Sequence, residues 1–281
     1  MTLPRTLAAV SAAALLTTAL AATLPAQAAV PDLQLVTQTT GPASTATQHG
    51  TAQCPMTSNI LGAGGEVTGG RGQTSLSTYT QIEREWGSTQ ADEDADGTTA
   101  DWGLTSYAIC TSGPHRESLS QFSPYNSSSE KLLTVACPAG TVTTSAGAAA
   151  SDGGSLVLDD AIPSADLTTV TVDVFEAQAG RTDSWPASAS ARCGTPLPGL
   201  QRVAATSPTD SATNKSVTAT CPADKKVVGT GHEIINGKGQ VLLDDVVPSA
   251  DLTSVRAEAF EDQDGTPNNW SITAYAVCAT P

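Results

Sequence analysis

Carboxylates carry most of the chemistry this sequence could perform. Two eleven-residue blocks, Leu158 to Thr168 and Leu243 to Thr253, both begin Leu-Asp-Asp and both end Pro-Ser-Ala-Asp-Leu-Thr. A loop lined by paired carboxylates can hold a cation through several oxygens or accept hydrogen bonds from sugar hydroxyls. Asp159, Asp160, Asp244 and Asp245 are therefore candidate binding residues. The same blocks also fit a plain turn in which Ser and Asp bond nearby backbone groups.

A second acidic segment, Asp92-Glu93-Asp94-Ala95-Asp96-Gly97, has the D-x-D-x-D-G opening of a calcium loop. Its twelfth position is Gly103, where an EF-hand has a bidentate Glu, which leaves Asp101 as the late ligand. Asp92, Asp94, Asp96 and Asp101 form the candidate calcium set, and an acidic hairpin tip is the competing reading. If Trp86 matches Phe175 and Phe260, this loop is an insertion peculiar to the first part of the chain. Those three aromatics share strand parity with polar residues, as Phe260 does with Arg256 and Glu258. They are candidates for stacking on a sugar or for covering a neighbouring unit.

Catalytic signals are thin. His49, His115 and His232 fall at unrelated places, and His232-Glu233-Ile234-Ile235-Asn236 stops one residue short of H-E-x-x-H. Neither a G-x-S-x-G elbow nor a phosphate-cradling glycine motif occurs. No catalytic residue is assigned. A carboxylate-dependent hydrolase stays as an alternative because Asp is plentiful, but spacing singles out no pair.

The elements that must position these residues come as a threefold repeat. Cysteines at 54, 110, 137, 193, 221 and 278 alternate long and short separations. Each first cysteine precedes proline (Pro55, Pro138, Pro222), and each second one stands eight residues after Trp102, Trp185 or Trp270. The divisions expected are a leader over 1–28 and β repeats over 29–113, 114–196 and 197–281. Within a repeat the period is two: Trp270, Ile272, Ala274, Ala276 and Cys278 share one strand face. Turn signals such as Asn236-Gly237 and Asp264-Gly265 separate further short strands. The fold class is all-β: three tandem sheet repeats of five or six strands, packed with pseudo-threefold symmetry. The three tryptophans are expected in the core beside the disulfides.

An even cysteine count without C-x-x-C spacing points to disulfides rather than metal ligation. Two symmetric pairings are open. One joins Cys54 to Cys110, Cys137 to Cys193 and Cys221 to Cys278; the other clasps Cys110 to Cys137, Cys193 to Cys221 and Cys54 to Cys278. The within-repeat set is favoured, since a small unit with few aromatics needs its own staple.

Residues 1–28 read as a secretory signal peptide, with Arg5, an Ala/Leu-rich run and Ala26-Gln27-Ala28 as the cleavage signal. Later apolar runs are too short to span a bilayer. The 281 residues carry a net charge of −15 and 4% aromatics. That balance excludes nucleic acid and anionic membranes as partners, because Lys and Arg are too few to neutralise phosphates.

The repeat, with Thr218-Ala219-Thr220-Cys221-Pro222-Ala223, Lys226 to Gly231 and Trp270 to Cys278, resembles one found in secreted proteins of high-GC Gram-positive bacteria. The resemblance implies an exported β-rich protein and no assigned activity. The expected function is non-catalytic binding of an extracellular glycan or protein through repeat loops. Its rivals are a protein-directed inhibitor or toxin-associated partner, and the hydrolase. Calcium is the only cofactor the sequence offers.

Overall fold

The computed structural model describes residues 29–82, 85–150 and 153–281. The expected leader, residues 1–28, lies outside the described residues. Each repeat supplies six strands. Repeat 1 gives β1 (Gln34–Thr39), β2 (Thr47–Gln53), β3 (Asn59–Thr68), β4 (Thr74–Ile82), β5 (Trp86–Glu93) and β6 (Gly103–Thr111). Repeat 2 gives β7 (Glu117–Phe122), β8 (Glu130–Ala136), β9 (Val142–Ala149), β10 (Leu156–Pro163), β11 (Thr169–Glu176) and β12 (Ser188–Gly194). Repeat 3 gives β13 (Gln201–Thr206), β14 (Asn214–Thr220), β15 (Lys226–Ile235), β16 (Val241–Pro248), β17 (Ser254–Glu261) and β18 (Ser271–Ala279).

The strands form three six-stranded sheets: sheet I, β1-β6-β3-β16-β17-β14; sheet II, β13-β18-β15-β10-β11-β8; and sheet III, β2-β5-β4-β9-β12-β7. No sheet belongs to one repeat. Each takes the first, sixth and third strands of one repeat and the fourth, fifth and second of another, so the three repeats close into a ring by sharing sheets. The seam is always a third strand against a fourth: β3 with β16, β15 with β10, and β9 with β4.

Alternation decides which face is inside. Val170, Val172 and Val174 of β11 are buried in the common core, while Thr171, Asp173 and Phe175 point outward. Trp102, Trp185 and Trp270 are fully buried, and each indole Nε1–H donates to a glutamate nine residues earlier: Glu93 at 3.0 Å, Glu176 at 2.9 Å and Glu261 at 2.9 Å. The tryptophans do not sit beside the disulfides. Eight strand residues at ~3.3 Å each separate Trp from Cys by about 26 Å, so the two occupy opposite ends of the last strand.

The disulfides follow the within-repeat set, Cys54–Cys110, Cys137–Cys193 and Cys221–Cys278, with Cα separations of 5.7, 5.6 and 5.8 Å. Cys54 follows β2 of sheet III and Cys110 lies in β6 of sheet I, so each bridge bolts two sheets together. Near the pseudo-threefold axis β3, β9 and β15 approach closely. A Cβ on Gly62 would lie 2.7 Å from the Gly229 Cα, and one on Gly229 would lie 1.8 Å from the Thr144 carbonyl oxygen. Thr144 Oγ1 spans the gap by donating to the Leu61 carbonyl at 2.7 Å.

Candidate functional site

The four candidate aspartates lie on strands, not in a loop. Leu158 and Ala161 both point into the core, an odd spacing that a two-residue period cannot satisfy. A β-bulge between Leu158 and Asp160 takes up the extra residue, and β16 does the same between Leu243 and Asp245. The turn reading holds for the second half of each block. Ser164 Oγ and the Thr168 amide donate to Asp166 Oδ1 at 2.7 and 3.1 Å, and Ser249 and Thr253 treat Asp251 alike. Led by the serine bond, these contacts hold both carboxyls down to about 2.

Strand pairing extends each aspartate into a row across a seam. In sheet II, Asp160 of β10 faces Glu233 of β15 on one side and Asp173 of β11 on the other. In sheet I, Asp245 of β16 likewise faces Glu66 of β3 and Glu258 of β17. Like charges directly opposite repel. The equivalent row of sheet III is neutral, with Ala149, Thr78 and Gln90, so the fold itself does not require the acids.

Among the described residues only one row is closed by a cation. Arg256 of β17 donates through Nη1 to Asp245 and Glu258, and through Nη2 to Glu66 Oε1 at 3.2 Å. The corresponding residue of β11 is Thr171. In the open row Glu233 accepts from the Tyr275 hydroxyl and Asp160 Oδ1 accepts from the Ile234 amide at 3.1 Å; among the described residues Oδ1 of Asp159 and Asp173 has no partner, and neither has Oδ1 of Asp244 and Asp245 in the closed row. Arg202 of β13 shares this face, but it stacks on Tyr275 at 4.6 Å and donates to the Pro163 carbonyl at 2.7 Å.

Burial, then the neighbouring Glu233 and Asp173 charges, lifts the Asp160 carboxyl to about 8. Burial and Glu130 lift Asp173 to about 6, and Asp159 is also pushed well up by burial. In the closed row Asp244 and Asp245 are raised chiefly by burial, against which Arg256 acts.

Phe175 and Phe260 lie outward beside the two rows, half-buried, with the Arg71 guanidinium 5.7 Å from the Phe260 ring centre. Trp86 is not their counterpart. It opens β5 opposite Gln53, matching Thr169 and Ser254, and is 45% exposed. The true counterpart is Asp92, which pairs with Thr47 and Ser75 as Phe260 pairs with Asn214 and Leu242.

This registration removes the insertion. Glu93-x-x-x-Gly97, Glu176-x-x-x-Gly180 and Glu261-x-x-x-Gly265 are one repeated turn, each glycine with φ between 64° and 71°. The calcium set is dispersed along it. Asp92 is fully buried and accepts from Thr47 at 2.7 Å and from Gln90, and Asp94 Oδ1 accepts from the Asp96 and Gly97 amides at 3.2 and 2.9 Å. Asp96 accepts from Gln263, and Asp101 stands exposed before Trp102. Among the described residues no three His, Cys, Asp or Glu side chains are arranged to hold a metal ion. The three turns instead surround a cavity of about 280 Å³ with Asp94, Asp96, Asp262 and Asp264 on its wall.

His232, fully buried, meets the Tyr79 hydroxyl through Nδ1 at 2.8 Å, far from any zinc-like arrangement. Sequence reasoning missed Glu66 and Glu233, which only the seam brings to the aspartates, and Asp173, Glu258 and Arg256, which the next strand of the same repeat supplies. One signal was present: Asp173 and Glu258 stand at the same place after the two Leu-Asp-Asp blocks. No protein-family model matches the chain, and no curated protein matches it.

Proposed function

We propose that the protein is an exported, non-catalytic binding protein that recognises a basic segment of an extracellular protein on the outer face of sheet II. The observation that carries this reading is the row Glu233–Asp160–Asp173 on an outward sheet face, which no cation among the described residues closes. At the β8 edge the row ends beside Leu132, which pairs with Asp173 and is 65% exposed. A carboxylate strip next to an exposed apolar side chain complements a basic, amphipathic segment.

Three disulfides, one in each repeat, support an oxidising destination, in keeping with the leader read from residues 1–28. Protein is favoured over glycan at this face because Phe175, the aromatic beside the open row, is half-buried, and the exposed apolar side chain there is the aliphatic Leu132. Binding is favoured over hydrolysis because the row lies on a sheet face and not in the end cavity.

A glycan array run beside a panel of basic peptides tests the reading, using wild type and the Asp160→Asn/Asp173→Asn double variant. Peptide binding lost in the variant is the expected result. Glycan binding indifferent to the two substitutions, or no binding to either panel, overturns it.

A further inference from the structure

We propose that the row Glu233–Asp160–Asp173 is a receptor for the guanidinium group of an arginine side chain presented by a partner protein. The inference rests on the binding reading above and adds the chemistry of the recognised group. Its ground is a comparison within the chain. The two acidic rows occupy equivalent places, seam for seam and strand for strand. In sheet I a guanidinium already lies on the row and touches all three carboxylates, Asp245, Glu258 and Glu66. In sheet II the side chain that would bring it is Thr171, too short and uncharged to take its place.

What the missing group leaves behind is visible in the partners. Glu258 accepts from Arg256, whereas Oδ1 of its counterpart Asp173 is buried and unpartnered. Asp159, only 5% exposed, also has an unpartnered Oδ1 beside Asp160, as its counterpart Asp244 has in the closed row, so the contrast between the rows rests on Asp173 and Glu258. The geometry selects the ligand. Strands lie ~4.8 Å apart, so a three-strand row stretches about 10 Å, a span suited to a planar fork of five N–H donors. A single metal ion would need its ligands drawn together, which this row does not do. An ammonium is a compact point charge and serves fewer of the carboxylates at once.

The probe is N-acetyl-arginine methylamide, titrated calorimetrically into the mature chain. Its lysine counterpart, and calcium chloride at equal ionic strength, are the comparison arms. The arginine compound should bind saturably in the millimolar range, shift the Ile234 amide resonance, and bind at least tenfold more tightly than lysine. Thr171→Arg should abolish binding by filling the row from within, and should raise the melting temperature. Asp160→Asn, which keeps the shape, should weaken binding at least tenfold. Failure of the arginine compound to bind wild type, undiminished binding by folded Thr171→Arg, or preference for calcium overturns the proposal. If peptides with lysine but no arginine bind sheet II as well as arginine peptides do, the binding reading stands and this inference fails.

Discussion

Arg256 of repeat 3 donates through Nη2 to Glu66 of repeat 1 at 3.2 Å, so the ion pair crosses a seam between repeats. The same guanidinium meets Asp245 and Glu258. Three carboxylates side by side would oppose the pairing of β3 with β16, and Arg256 turns that repulsion into attraction. Among the described residues sheet II lacks this device, and burial with neighbouring carboxylates raises Asp160 to about 8 and Asp173 to about 6.

Arg256→Gln should destabilise the protein by about 1–3 kcal/mol at pH 8, the lower end allowing for the partial exposure of the arginine. The loss should shrink at pH 5, where Asp245, raised to about 7, has taken up its proton. Urea unfolding at both pH values checks it; a pH-independent loss would mean that the arginine acts only through packing.

Stability should fall as pH rises from 6.5 to 8. Asp160, raised to about 8, holds its proton in the folded chain while the unfolded chain has already released it, so folding is favoured below the folded value. His232 is depressed to about 3 by burial and acts oppositely, weakening the fold only as pH drops below 6.5. Above 6.5 the carboxyl effect is left unopposed, and Asp160 alone contributes at most about 2 kcal/mol. Melting curves from pH 6.5 to 8.5 on wild type and Asp160→Asn decide it: the variant should show a flatter slope.

Glu176→Ala should cost about 1–3 kcal/mol, because the Trp185 indole N–H loses its partner at 2.9 Å in a closed core. Glu261→Ala should match it, since Trp270 is held in the same way. Tryptophan fluorescence during urea unfolding measures both. Unequal effects would show that the repeats do not use the glutamate equivalently.

Gly229→Ala should cost about 3 kcal/mol or more, since its Cβ would meet the Thr144 carbonyl oxygen at 1.8 Å on the axis where three strands converge. Gly41, which has nothing within 4 Å of an added Cβ, serves as the neutral control.

The sequence made the repeat, the strand periods and the cysteine pairing legible, because Cys, Trp and alternating aliphatics recur at fixed spacing. It did not make the sheets legible. Local alternation sets which face of a strand is buried but not which strand lies beside it, so the pairing of Asp160 with Glu233, 73 residues further on, could not be read. Bulges misled in another way. The step from Leu158 to Ala161 breaks the two-residue period, which made strand β10 look like a loop. Aromatic character sets Trp86 against Phe175 and Phe260, whereas the constant nine-residue spacing from Glu93 to Trp102, Glu176 to Trp185 and Glu261 to Trp270 carries the true register.

The most direct test of the binding assignment places a photo-reactive amino acid at Leu132, beside the open row, or at Ser216, the equivalent position beside the closed one. Each form is irradiated with the proteins exported by the producing cell. A discrete adduct from position 132, absent from position 216 and lost with Asp160→Asn/Asp173→Asn, is the predicted result. Equal adducts from both positions, or one that survives the double substitution, would contradict the account.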